Sequence, residues 1–67
     1  MIICFKIKDI RVSKGIKLKQ LSYKTGISIS HLSDIENNNK MPSLIYAVLI
    51  ARALNVKIEE IYIIKRY

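Results

Sequence analysis

Few side chains in this sequence could do covalent or metal chemistry. Cys4 is its one cysteine and His31 its one histidine, so a disulfide within the chain is excluded and a zinc site is not expected. Cys4 has no nearby histidine to act as a base. Glu59 and Glu60 are adjacent, and adjacent side chains on a helix point apart. The pattern therefore predicts no enzyme, no metal site and no cofactor.

Positive charge is the chemistry that the sequence does supply. Twelve lysines and arginines against five acids give a formal net charge of +7. An excess of this size in a small domain indicates a nucleic-acid partner, although a coding bias toward lysine would produce the same excess. No apolar run reaches the ~18 residues of a membrane span, and no cleavage-site pattern follows the apolar segment 1–5. We expect a cytoplasmic protein without a membrane partner, and no small-molecule effector is evident.

The elements that position these charges belong to one small domain. A chain of 67 residues suffices for a single domain, residues 1–67, whose core needs tight helix packing or self-association to be stable. Gly15 and Gly26 end the first two predicted helices, while Ser28 and Ser43 are suitable N-caps for the third and fourth.

A fifth helix is predicted over about Ile58 to Tyr62, which makes the fold class all-α, a compact five-helix domain. Both ends of the chain are apolar and rich in β-prone residues. They suggest a small antiparallel pairing of the two termini, within one chain or across a dimer.

The second and third helices form a helix-turn-helix over about residues 18–36, because they are joined by a tight turn at Gly26. Leu32 and Ile35 point inward from the third helix, which covers about residues 28–36. An α-helix fits the major groove of B-DNA, so its outward face can read base edges.

The segment Gly26–Asn37, followed by Lys40–Leu44, resembles the xenobiotic-response-element/Cro type of helix-turn-helix, the phage-repressor-like family. The segment Ala51–Val56, followed by Ile58–Ile61, is similar to the same family. The resemblance covers roughly Ile7 to Tyr62 without a gap. It implies a five-helix domain that binds double-stranded DNA in a sequence-specific way, usually as a homodimer on a two-fold operator. Such a protein would be a transcriptional regulator, a repressor or an autoregulator.

The resemblance also implies roles for individual residues. The third helix would be the recognition helix, and four of its residues match base-facing positions: Ile29, Ser30, Ser33 and Asp34. Six residues match or flank positions that contact the phosphate backbone: Lys17, Lys19, Ser28, Asn37, Lys40 and Ser43. Arg11 and Glu36 match a buried ion pair, although they could also be two unrelated surface charges.

The sequence departs from the family pattern at several of these positions. Lys17 and Leu18 replace the usual Ser or Thr cap and the Gln after it, and Lys57 replaces the Ser before helix five. Ile29 can only pack on a thymine methyl group, and Asp34 accepts from cytosine N4 but repels phosphate.

The fourth predicted helix is apolar nearly all round, so something must cover it. We expect a homodimer interface that contains Ile45, Leu49, Ile63 and Ile64. The alternative is that the N-terminal strand covers this surface and the protein is a monomer. The surface also allows a second function, a protein-interaction module or antitoxin-like adaptor with weak DNA binding.

Overall fold

A computed structural model describes residues 2–66 of the chain. The elements, in chain order, are β1 (Ile2–Phe5), α1 (Ile7–Ser13), α2 (Leu18–Thr25), α3 (Ile29–Glu36), α4 (Leu44–Ala53), a 3-10 helix (Ile58–Ile61) and β2 (Tyr62–Lys65). Of the predicted domain 1–67, Met1 and Tyr67 lie outside the described residues. In the described part of the chain, no helix has the length and apolar character needed to cross a membrane.

The fold is mostly helical, and the prediction of five α-helices is wrong. The segment predicted as the fifth helix, about Ile58 to Tyr62, is a single 3-10 turn that ends at Ile61. Tyr62 already has extended backbone, with φ −140° and ψ 158°, because it begins β2. A run of four residues between a loop and a strand leaves room only for a short turn of this kind.

The two ends of the chain pair with each other as an antiparallel ribbon of β1 and β2. Ile3 lies opposite Ile64, and Cys4 lies opposite Ile63. The ribbon is continuous with the helical core, because the backbone N–H of Lys6 donates to the carbonyl of Ile61 at 2.7 Å. Side chains directly opposite one another share a face and neighbours along a strand alternate. Ile63 and Ile64 therefore lie on opposite faces of the ribbon.

The core gathers side chains from all four α-helices and the 3-10 helix. Its buried members are Ile7, Leu21, Ile27, Leu32, Ile35, Ala47, Ile50, Ala51, Leu54 and Ile61. They are aliphatic throughout, so burial of apolar area drives the packing. Because α2 and α3 each contribute buried residues to this cluster, the helix-turn-helix is held rigidly on the rest of the domain.

Candidate nucleic-acid interface

The turn between α2 and α3 is fixed by its backbone and by two hydroxyl groups. Gly26 has φ 74°, in the left-handed region that glycine adopts without a Cβ penalty. The Ser22 hydroxyl donates to the carbonyl of Ile27 at 2.6 Å. The Thr25 hydroxyl oxygen accepts from the N–H of Ile27 at 3.2 Å. These contacts set the direction in which α3 leaves the turn.

Helix α3 packs one apolar side against the core and is capped at its N-terminus. Leu32 and Ile35 are buried in the core. The hydroxyl oxygen of Ser28 accepts from the N–H of His31 at 3.1 Å, which confirms the predicted N-cap. The ring of His31 meets that of Tyr46 edge-on, with centroids 5.1 Å apart, so α3 also packs against α4.

Arg11 and Glu36 form a bidentate ion pair between α1 and the C-terminal end of α3. Nε donates to Oε2 at 2.6 Å and Nη2 donates to Oε1 at 3.0 Å. The third nitrogen, Nη1, donates to the carbonyl of Ile16 at 2.8 Å. The two side chains are only 13% and 4% exposed. The fork geometry of arginine suits such a buried carboxylate, and the pair ties down the end of α3 away from the turn.

The residues predicted to face bases lie on the side of α3 opposite the core. Ile29 and Ser30 are exposed, while Ser33 and Asp34 are half-buried. The surface offers hydroxyl groups that donate or accept, one aliphatic side chain and one carboxylate acceptor. Residues 29–36 contain no lysine or arginine, so positive charge has to come from the flanking segments.

The six residues predicted to contact phosphate are all exposed. Lys17 and Lys19 lie at the start of α2, and Asn37 and Lys40 follow the C-terminal end of α3. The side chain of Lys40 lies next to that of Asp34, with Lys40 Nζ 3.6 Å from Asp34 Oδ2. The other two, Ser28 and Ser43, cap α3 and α4.

Two capping residues were missed by the sequence reasoning. The Gln20 carboxamide accepts from the backbone N–H of Lys17 at 2.8 Å, and the Glu60 carboxylate accepts from that of Lys57 at 2.7 Å. Each is the reciprocal half of a capping box, an acceptor three residues after the N-cap. That spacing was visible in the sequence. It explains how two helices start behind a lysine that cannot itself accept a hydrogen bond.

An apolar surface lies where the ribbon meets the start of α4. Ile3 and Phe5 help to line an open groove of about 190 Å³ that Leu44 also lines. Ile3 further lines a second groove with Met41. Met41, Leu44 and Ile45 are 71%, 75% and 70% exposed. We use the name apolar patch for the exposed groove residues Ile3, Met41 and Leu44 together with two exposed neighbours: Ile64, which lies opposite Ile3 in the ribbon, and Ile45, the residue after Leu44 on α4.

The residues predicted for the dimer interface are all exposed, and they come from two elements: Ile45 and Leu49 from α4, Ile63 and Ile64 from β2. Ile45 and Ile64 belong to the apolar patch. Ile63 is on the opposite face of the ribbon from Ile64. Leu49 is 36% exposed and follows Ile45 by four residues, so the two share a face of α4. The alternative prediction was that the N-terminal strand covers this surface. The ribbon does lie beside the start of α4, but it leaves Leu44 and Ile45 exposed.

The two-helix unit, the turn, the seated α3 and the flanking basic residues define a helix-turn-helix DNA-binding domain. The model of the helix-turn-helix family HTH_3 matches residues 7–61, and the chain belongs to this family. It is a DNA-binding protein that regulates transcription.

Two known proteins are similar to it. The chain is 28% identical over 57 residues to the uncharacterized HTH-type transcriptional regulator YgzD of Bacillus subtilis (strain 168). The aligned residues make up 85% of this chain and 86% of the relative. The crystal structure of the restriction-modification controller protein C.AhdI from Aeromonas hydrophila matches with a TM-score of 0.79 and 24% identity, over 82% of this chain and 83% of that one. The second likeness is one of fold.

Proposed function

We propose that the chain is a single domain that binds double-stranded DNA in a sequence-specific way as a repressor or autoregulator, with α3 in the major groove. The observation that carries this proposal is the outward face of α3, which presents three polar side chains and Ile29 at the surface while its other face is buried in the core. Ile29, Ser30, Ser33 and Asp34 face the bases. A helix held at the turn, along its length and at its end loses little freedom on binding.

Phosphate contacts supply most of the affinity in this proposal. Lys17 and Lys19 approach the backbone from the start of α2, and Asn37 and Lys40 approach it from beyond α3. Ser28 and Ser43 mark two helix N-termini, whose free amides and dipole favour a phosphate. Because each neutralised phosphate releases counterions, binding weakens steeply as salt rises.

We further propose that the protein acts as a homodimer through the apolar patch. Its five members are aliphatic or thioether side chains without charge, on a chain of net charge +7. Two copies that meet through this patch cover exposed apolar area. This arrangement is consistent with an operator that has two-fold symmetry.

Selection of bound sequences from random duplex DNA at physiological salt tests the proposed function. We expect one enriched motif with two related half-sites about 10 base pairs apart, the spacing that a dimer on one face of the duplex requires. Recovery of DNA without any enriched sequence would refute sequence-specific regulation.

The apolar patch favours a second candidate function, that of an adaptor whose patch binds a different protein. In that case the free chain is a monomer in solution and random selection enriches no motif. A cytoplasmic location, expected from the sequence, remains a prediction under either function.

A further inference from the structure

The recognition face of α3 contains a charge that a DNA-reading surface ordinarily disfavours. Two carboxylates lie on α3, and Glu36 is held by Arg11 inside the protein. Asp34 instead lies on the outward face, where phosphates repel a negative side chain. Lys40, in the loop after α3, places its ammonium group 3.6 Å from the Asp34 carboxylate.

The backbone of Lys40 is anchored to the same residue. The N–H groups of Asn39 and Lys40 donate to the Asp34 carbonyl at 2.8 Å and 3.2 Å. The loop therefore returns to the end of α3, and the start of the Lys40 side chain is held beside Asp34. The four methylene groups beyond it are free to redirect the ammonium group.

The contact between the two side chains is easily exchanged. A distance of 3.6 Å is longer than an ordinary N–H···O hydrogen bond. The side chains are 55% and 38% exposed, and ion pairs so open to solvent are weak. A competing donor for Asp34, together with a competing anion for Lys40, can separate them.

We propose that Asp34 and Lys40 form an exchangeable pair that couples base reading to phosphate binding. In the free protein Lys40 neutralises Asp34. On a matching site the N4 amino group of a cytosine donates to the Asp34 carboxylate, and Lys40 turns to a backbone phosphate. On a site without that cytosine, Asp34 retains Lys40 and the phosphate contact is weaker. This inference rests on the proposed placement of α3 in the major groove.

A double-mutant cycle on the full chain tests the coupling, with Asp34→Ala, Lys40→Ala and both together. Alanine is used at Asp34 because asparagine could itself pair with adenine. Fluorescence anisotropy gives the dissociation constant for two probes, a duplex obtained by selection from random DNA and a scrambled duplex of the same composition. In the wild-type background, Lys40→Ala should weaken binding to the selected duplex by about two- to fivefold more than to the scrambled duplex. In the Asp34→Ala background, this difference should vanish.

Lys19→Ala is the matched control, since Lys19 is an exposed lysine on α2, whereas Asp34 pairs with Lys40. Its effect should be the same with and without Asp34. Equal effects of Lys40→Ala on both duplexes, or a difference that survives in the Asp34→Ala background, would overturn the inference while leaving DNA binding intact. If the wild-type chain does not discriminate between the two duplexes at all, the proposed function itself fails.

Discussion

At the scale of single residues, Glu36 has the largest predicted effect on stability. Its side chain is 4% exposed, and its carboxylate accepts two hydrogen bonds from Arg11. Removing one partner of a buried ion pair leaves the other charge without compensation. We expect Glu36→Ala to lower the free energy of unfolding by about 3–5 kcal/mol, measured by urea denaturation.

Glu59→Ala is the control for this prediction, because Glu59 is an exposed acid in the first turn of the 3-10 helix. Glu59→Ala should change the free energy of unfolding by no more than about 0.5 kcal/mol. Since a domain of this size has little stability to lose, Glu36→Gln serves as a milder variant with an intermediate loss. A loss for Glu36→Ala no larger than for Glu59→Ala would show that the pair does not hold α3.

Some contacts of single residues could be predicted from the sequence and others could not. The Ser28 and Ser43 caps follow from local chemistry, because a hydroxyl before an apolar helix has one common use. The contact of Lys40 with Asp34 depends on how the loop returns to α3, which residue types alone do not specify. The edge-on contact of His31 with Tyr46 likewise depends on how α3 and α4 cross.

At the scale of elements, the turn between α2 and α3 depends on the backbone conformation of residue 26. A Cβ at Gly26 would meet no atom within 4 Å, so a substitution is strained only by its φ of +74°. We expect Gly26→Ala to lower the free energy of unfolding by about 1–2 kcal/mol, measured by thermal or urea denaturation.

Gly26→Asn should cost less than Gly26→Ala, because asparagine tolerates the left-handed region. Asn38 and Asn55 already adopt it in this chain, with φ 62° and 58°. Equal stability of the alanine and asparagine variants would mean that the turn changes conformation, and with it the direction of α3.

The elements with long, regular apolar spacing were predictable, and the short ones were not. Four helices follow from glycines, caps and inward-facing residues. At the C-terminus, Ile58 and Ile61 are spaced for either an α-helix or a 3-10 turn, and only the nearby start of β2 decides between them. The pairing of β1 with β2 was predicted as possible within one chain or between two. Its closure within one chain depends on where α1 begins relative to the 3-10 helix.

At the scale of the whole molecule, the apolar patch predicts the oligomeric state. We expect the wild-type chain to elute as a dimer in size-exclusion chromatography with light scattering, and Leu44→Glu to elute as a monomer. The variant should remain folded, since Leu44 is 75% exposed at the start of α4, where the helix dipole favours an acid.

Val12→Glu is the matched control for the dimer. Val12 is 59% exposed on α1 and lies outside the apolar patch, so this variant should remain a dimer. A wild-type monomer, or dissociation by both substitutions alike, would contradict the assigned interface.

The central claim is that the outward face of α3 reads base edges, and one substitution tests it most directly. Ser30→Arg places on that face a side chain that pairs in a bidentate way with guanine. Selection from random DNA with the wild-type and variant chains should give motifs that differ at one position in each half-site, where guanine becomes preferred. If both chains select the same motif, or if the variant's affinity falls by the same factor for all DNA sequences, α3 does not read the bases.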